Sequence, residues 1–229
     1  MNGRKSEEAY QLLLKDVIMS EHDLLKAENR WVWHCLYVGF AAGRIATRLG
    51  VDADLATALG FVHDIGRKWS HEKHVMVGYQ YLTSLGENTL ARICLTHSYI
   101  DNNLKLVAGE DSTPEQKPEL SRYLLEHPAT IYDNIIQMCD LFCLDTGFTT
   151  VEKRMLDISE RKGIFPNSFQ HLNAVFSLKA KLEAQMGCSL YTLFPEISKG
   201  DLQSIDNDYT KLVSLMPSSI QKVKTDSKK

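Results

Sequence analysis

Apolar residues recur at intervals of three and four along most of the chain, which is the pattern of amphipathic helices. No stretch alternates between apolar and polar residues and then reaches a hairpin turn, as paired strands would. The predicted helices cover residues 7–19, a short segment after Ser20, 31–49, 52–64, 73–85, 88–97, 129–145, 149–162 and 167–186. The pattern therefore predicts an all-α fold.

The same pattern divides the chain into four parts. We expect N-terminal helices over residues 1–28 to pack on a core domain over residues 29–162. Residues 163–197 are expected to form a C-terminal helical extension. Over residues 198–229 the periodicity decays into Ser, Asp and Lys, which is typical of a flexible tail. The most loop-like internal segment, residues 107–118, is either a mobile loop over a site or a plain connector.

Composition narrows the classes of protein. The formal net charge of -3 gives no support for nucleic-acid or membrane binding. No apolar run reaches membrane-spanning length, and residues 1–20 lack the core of a signal peptide. The five cysteines lack CxxC spacing, and four of them lie in apolar helical context, as free thiols usually do. We therefore expect a cytoplasmic protein.

The most informative stretch is the end of the apolar run at residues 55–62, where His63 and Asp64 follow at once. A buried imidazole and carboxylate need a partner that offsets their desolvation, and a metal ion is the simplest one. Neighbouring helical side chains point about 100° apart, so both reach one ion only near a helix end, which Gly66 is expected to provide. The alternative is a satisfied core histidine beside a solvated aspartate.

Two further polar residues interrupt apolar helix faces. His34 lies on the apolar face of the helix over residues 31–49, although a lone histidine there is more often a core residue. Asp140 lies in a row with Ile136 and Leu144, one turn to either side, where an ionised carboxylate is unexpected. Histidine and carboxylate ligands together suit Mn, Fe, Co, Ni or Zn better than calcium.

The order of these residues, a histidine, then His63-Asp64, then a distant aspartate, resembles the pattern H…HD…D of the HD-domain superfamily. The resemblance covers residues 31–162 and implies an HD-domain helical bundle, here with additional C-terminal helices. It also implies a metal-dependent enzyme that hydrolyses phosphoester or phosphoanhydride bonds through a metal-bound hydroxide.

His74 and His97 extend the resemblance to the binuclear branch of the superfamily, whose pattern is H…HD…H…H…D. That branch implies one or two divalent transition metal ions (Fe, Mn, Co, Ni or Zn). The implied ligands are His34, His63 and Asp140 for one ion and His74 and His97 for the other, with Asp64 bridging. Without the resemblance, His74 is equally a solvated residue at a helix start, and His97 a helix-end residue interacting with the dipole.

The remaining histidines receive no metal. His22 and Asp23 form a second His-Asp pair, but their charged surroundings indicate ordinary helix capping. His71 is close enough to replace His74 as a ligand, yet it lies in a charged loop. His127 and His171 are interpreted as structural.

Basic residues near the site suit a phosphorylated substrate. Asp64 is assigned a catalytic role, and Arg67 and Lys68 are placed to hold phosphate oxygens, although both cations equally fit a solvated loop. Arg92 and Arg154 are further candidates. The expected partner is a nucleotide or a small organophosphate, with no nucleic acid and no membrane.

Two other functions stay open at this point. Some HD proteins with the same six ligands are mixed-valent di-iron oxygenases, and a non-catalytic nucleotide-binding HD domain retains the scaffold. The signature of HD-GYP phosphodiesterases is missing, so that activity is not transferred. The metal, the substrate and the oligomeric state do not follow from the sequence.

Overall fold

The computed structural model describes residues 5–15, 23, 26–108 and 112–199. Within these ranges the chain forms ten α-helices and one pair of two-residue strands, so the predicted all-α class is confirmed. The helices are α1 (Lys5–Leu14), α2 (Arg30–Leu49), α3 (Ala53–Val62), α4 (His74–Ser84), α5 (Asn88–Thr96), α6 (Lys117–Glu126), α7 (Ile131–Asp140), α8 (Val151–Lys162), α9 (Ser168–Met186) and α10 (Pro195–Lys199). The strands are β1 (Cys143–Leu144) and β2 (Gly147–Phe148). Short 3₁₀ turns span Ala27–Asn29, Ile65–Lys68, Ile100–Asn102 and Leu190–Leu193.

Three sequence predictions lie wholly or mostly outside the described residues. These are the tail beyond residue 199, the short helix after Ser20, and the histidine of the His22–Asp23 pair. The proposed division into domains at residues 28, 162 and 197 stays a prediction. Within the part of the chain that the structure describes, no helix has both the length and the apolar character needed to cross a membrane.

The helix predicted over residues 129–145 is too long. It ends at Asp140, and β1 and β2 then pair antiparallel, with Cys143 opposite Phe148. Phe148 explains the difference, because its ring packs at 5.4 Å from Tyr37 and at 4.9 Å from Phe194. Apolar residues that fit a buried helix fit this buried hairpin equally well, so periodicity alone did not separate the two.

Helix α6 was not predicted from the sequence. Pro118 stands in its first turn, where a missing N–H costs nothing. Leu120 and Leu124 are buried against a small second core that includes Met76 and Tyr99. The segment over residues 107–118 therefore leads into a packed helix rather than only connecting two distant ones.

The core is organised around a close crossing of α2 and α3. A methyl group on Gly60 would lie 2.5 Å from the backbone nitrogen of Gly39 and 2.9 Å from the carbonyl carbon of Val38. The two backbones therefore touch, and only glycine fits there. His34 precedes this crossing on α2 and His63 follows it after α3, and their rings lie 5.2 Å apart.

Terminal helices pack on this core from both ends of the chain. Tyr10 of α1 contacts Phe61 of α3, with ring centroids 6.0 Å apart. Arg44 of α2 donates two hydrogen bonds, of 3.0 and 2.7 Å, to the carboxylate of Glu196 in α10. Its guanidinium also lies 4.2 Å from the ring centroid of Phe40. These contacts join the N-terminal and C-terminal helices to α2 and α3.

We predict that Gly60→Ala lowers the free energy of unfolding by about 2–3 kcal/mol, because the added methyl meets backbone atoms that cannot turn away. Gly43→Ala is the matched control on the same helix pair. Its methyl would meet Thr57 Oγ1, a side-chain atom that can turn away at the cost of its hydrogen bond to the Ala53 carbonyl, so we expect a smaller loss of about 1 kcal/mol. Urea unfolding followed by circular dichroism measures both values, and equal stability of the two variants would contradict the backbone contact.

Candidate metal centre

His63 and Asp64 lie where α3 gives way to the 3₁₀ turn Ile65–Lys68. A change of helix type alters the angle between successive side chains, which a regular α-helix sets near 100°. Here Nε2 of His63 and Oδ2 of Asp64 are 3.8 Å apart, and both side chains are buried. The local turn therefore brings the two polar groups to one place in the core.

Gly66 acts differently from the sequence prediction. It lies inside the 3₁₀ turn and is not among the residues with positive φ, so its expected role as a helix-ending glycine is wrong. A methyl group at this position would overlap the carbonyl oxygen of His74 and lie 2.7 Å from the nitrogen of Gly78. The missing side chain lets α4 approach the turn, and Nε2 of His74 comes within 3.2 Å of Asp64 Oδ1.

All six candidate ligands predicted from the sequence lie together, in two groups of three. The first group is His34, His63 and Asp140, and the second is Asp64, His74 and His97. In each group one ligand atom per residue lies within 4.8 Å of the others. Nε2 of His34 is 2.9 Å from Asp140 Oδ1, and Nε2 of His97 is 3.4 Å from Asp64 Oδ1. The His63–Asp64 contact joins the groups.

Backbone carbonyls orient three of the four histidines. A carbonyl oxygen only accepts hydrogen bonds, so each contacting Nδ1 carries a proton, and Nε2 of the neutral ring presents its lone pair to the site. The pairs are His63 with Gly60 at 2.7 Å, His74 with His71 at 2.8 Å, and His97 with Ile93 and Cys94 at 3.1 Å each. This is the tautomer that a metal ligand needs.

The site also sets the protonation states of its members. Burial lowers the pKa of His63 to about 4, so its ring is neutral near pH 7. Burial opposes ionisation of Asp64, but the Arg67 guanidinium and the nearby imidazoles outweigh it and hold the pKa of Asp64 well below its usual value. The same balance, with His34 as the partner, lowers the pKa of Asp140. Neutral imidazoles and ionised carboxylates are the forms that bind cations.

Two buried atoms of the site have unmet hydrogen-bonding capacity. Nε2 of His63 and Oδ1 of Asp64 make no hydrogen bond within the described ranges. Buried polar atoms without partners are rare and costly, and a cation held between these groups would supply the missing interaction. The donor set of imidazole nitrogens and carboxylate oxygens therefore fits a divalent transition metal.

Arg67 and Lys68, the two cations after the His-Asp pair, lie in different places. Arg67 donates from Nε to Oδ2 of Asp64 and lines the cavity beside the ligands. Lys68 does not line it: its Nζ donates to the carbonyl of Lys15 at 2.7 Å and lies 5.1 Å from the ring centroid of Trp69. The expectation that both hold phosphate oxygens is therefore retained for Arg67 alone.

Other residues singled out in the sequence have structural contacts. Arg92 binds Asp133 at 2.9 Å and the carbonyl of Pro128 at 2.8 Å. His127 stacks on Tyr123, with ring centroids 4.0 Å apart, as its structural interpretation predicts. His71 accepts the hydrogen bond that orients His74, so it supports that ligand through its backbone.

A cavity of about 550 Å³ opens beside the ligands. Sequence reasoning missed several of the side chains that line it, namely Arg30, Gln137, Arg161 and His171. His171, interpreted from the sequence as structural, is only 4% exposed. It lies on one stripe with the buried Val175 and Leu178, and that spacing was the signal available in the sequence.

Gln137 presents a further buried acceptor. It lies one turn before Asp140 on α7 and is 1% exposed. Its Nε2 donates to the carbonyls of Thr96 and Tyr99 at 2.9 and 3.0 Å, which fixes the amide. Its Oε1 is buried and accepts no hydrogen bond from the described residues. The amide therefore offers an acceptor to a donor in the cavity.

Comparisons with known proteins agree with this arrangement. Residues 32–144 match the family model described as HD domain. Ribonuclease Y of Bacillus subtilis (strain 168) is 31% identical over 102 residues, which cover 41% of this chain and 20% of the relative. Ribonuclease Y of Thermus thermophilus is 32% identical over 101 residues, covering 41% and 18%. Ribonuclease Y 2 of Bdellovibrio bacteriovorus is 36% identical over 58 residues, covering 24% and 11%.

The chain thus spans about a fifth or less of the length of these relatives. No solved structure matches it. HD domains bind divalent metals, and their family is generally hydrolytic. The matched residues run from α2 through α7 to β1 and contain all six candidate ligands, His34 to Asp140. The resemblance read from His63-Asp64 is confirmed: the chain belongs to the HD-domain superfamily.

Proposed function

We propose that this protein is a metal-dependent phosphohydrolase that acts on a nucleotide or a small organophosphate. The observation that carries the proposal is the pair of three-ligand groups, joined through His63 and Asp64, beside a cavity of about 550 Å³. That volume lies in the range of small-ligand sites. The family's generally hydrolytic character supports the same reaction class.

The proposal assigns a role to each ligand group. His34, His63 and Asp140 would hold one divalent ion, and His74 and His97 a second, with Asp64 between the two. When bound, such ions supply a water of lowered pKa and stabilise charge on a phosphoryl oxygen. The backbone carbonyls at Nδ1 keep the rings of His63, His74 and His97 in place, and the neutral form of each ring would present a lone pair at Nε2.

Arg67 has two tasks in this proposal. Its hydrogen bond to Asp64 holds that carboxylate ionised and oriented. Its guanidinium also lines the cavity, where it would orient a phosphoryl group and offset negative charge as the bond breaks. Gln137 would accept a hydrogen bond from the substrate or from a water molecule through Oε1.

RNA is a second candidate substrate. The relatives that match residues of the core are named ribonuclease Y, and RNA cleavage also breaks a phosphoester bond. This name opposes our expectation that the protein has no nucleic-acid partner. The formal net charge of -3 gives no general attraction to a polyanion, so the small substrate is the stronger candidate.

Metal content tests the two-ion arrangement. We predict about two equivalents of transition metal per chain in protein purified without added metal, and about one in His97→Ala, because that change removes a ligand from one group only. Elemental analysis measures both. His127→Ala is the matched control, since His127 stacks on Tyr123 outside both groups, and should keep the wild-type content. One equivalent in all three proteins would mean that the chain binds one ion rather than two and that His97 is not a metal ligand.

Activity tests the reaction class. We predict that Asp64→Asn loses at least about 100-fold in phosphate release from a nucleotide panel, because the amide cannot replace the carboxylate as a ligand. Asp101→Asn, a change of the same charge at an exposed position with φ 53°, should keep wild-type turnover.

Three outcomes would count against the proposal. Full activity in Asp64→Asn would mean that hydrolysis does not depend on this site. Turnover that needs iron and dioxygen and stops with manganese under nitrogen would indicate an oxygenase. Cleavage of a single-stranded RNA oligonucleotide, with no phosphate release from mononucleotides, would favour the RNA substrate.

A further inference from the structure

Helix α8 brings two arginines to the cavity on one face. Arg154, Asp157 and Arg161 are spaced three and four residues apart, and all three line the cavity that also contains His34 and Asp140. Arg154 Nη1 donates to Asp157 Oδ2 at 2.8 Å. Arg161 donates to both oxygens of the same carboxylate, at 3.1 and 2.8 Å. One carboxylate therefore serves two guanidinium groups.

This face carries a surplus of positive charge. Arg30, the other cation near this end of the cavity, has its own partner in Asp145, and Arg67 is bound to Asp64. Arg154 and Arg161 have only Asp157 between them among the ion pairs of the described residues. Two guanidinium groups that share one carboxylate keep a net positive charge, and guanidinium groups beside a cavity bind oxyanions well.

The Nε atom of Arg154 gives a second, independent indication. It is buried and has no hydrogen-bond partner within the described ranges, and the whole side chain is only 18% exposed. A charged N–H group removed from water without an acceptor is costly. An oxyanion in the cavity would supply that acceptor while Nη1 keeps its bond to Asp157.

We infer that Arg154 and Arg161 form a second anion subsite, which binds a phosphate or carboxylate carried by the substrate in addition to the phosphoryl group at the His/Asp groups. The inference rests on the proposed function, because it takes the His/Asp groups as the place where the first phosphoryl group binds. The proposed substrate is therefore a small molecule that carries two anionic groups.

The subsite is a property of this chain rather than of the family core. The HD match ends at residue 144, whereas α8 begins at Val151. Met155 and Ile158 are buried and anchor the helix to the core, which holds its polar face toward the cavity. The family residues would bind the scissile phosphate, and α8 would select what is attached to it.

The cavity favours a small molecule over a polymer as the source of the second anion. About 550 Å³ holds one drug-sized or nucleotide-sized ligand. The chain has 26 Lys and Arg residues against 29 Asp and Glu residues, so a long polyanion gains no general attraction. Both anions are therefore assigned to the same small substrate.

Binding of matched probes tests the subsite. Hexyl phosphate carries one anionic group, 1,6-hexanediol bisphosphate adds a phosphate, and 6-(phosphonooxy)hexanoate adds a carboxylate on an equally flexible chain. Isothermal titration to the full chain in manganese should give at least about tenfold tighter binding for one or both two-anion probes. The probe that gains more identifies the second group as phosphate or carboxylate.

Variants of α8 test whether its arginines cause the preference for two-anion probes. Arg154→Gln/Arg161→Gln should reduce the preference for the two-anion probe to less than about threefold. Lys153→Gln removes the same charge from the same helix at an exposed position outside the cavity, and should keep the full preference. If the double variant does not fold, Arg161→Gln alone is measured, because its side chain is 51% exposed, and its preference should still fall.

The outcomes separate this inference from the proposed function. Equal binding of all three probes to the wild type, or a preference that persists in the arginine variants, would overturn the subsite even if hexyl phosphate is hydrolysed. A preference lost in the arginine variants while no probe is hydrolysed would keep the subsite and reject the hydrolase. A preference seen only with an RNA dinucleotide that has two phosphates would overturn the small-molecule substrate.

Discussion

The buried carboxylate of Asp64 is the constraint on which the rest of the site depends. Only 3% of its side chain is exposed, and an ionised group removed from water costs several kcal/mol unless other charges and hydrogen bonds offset it. Its neighbours, Arg67, His63, His74 and His97, come from the 3₁₀ turn, the end of α3, the start of α4 and the end of α5. Three helices therefore meet at one carboxylate, and the charges and polar groups they bring offset the burial of that carboxylate.

Missing side chains make this meeting possible. Gly39 and Gly60 let α2 and α3 touch, which brings His34 and His63 into one group. Gly66 lets the turn after Asp64 lie against the first residue of α4, which brings His74 to the carboxylate. The glycines therefore set the distances between the six candidate ligands.

The sequence predicts features that depend on residues of the same helix better than features that depend on contacts between different elements. His34, His63 and Asp140 were singled out as candidate ligands because each is a polar residue on an apolar stripe, and α2 was predicted because its stripe is long. The burial of His171 was likewise readable from its helical spacing with Val175 and Leu178. The close approach of Gly66 to α4 and the position of Lys68, in contrast, follow from contacts between different elements of the chain. Periodicity does not contain that information, and the hairpin at Cys143–Phe148 was missed for the same reason.

The division between core and α8 bears on specificity. Histidine and carboxylate sites select metals by geometry and availability. Proteins that share one fold and one such site can act on different substrates. Discrimination between substrates must then come from side chains that touch the rest of the substrate. In this chain Arg154, Arg161 and His171 line the cavity and would make such contacts in the proposed function, and all three lie beyond the family match at residues 32–144. Relatives that share only the core therefore inform the reaction more than they inform the substrate.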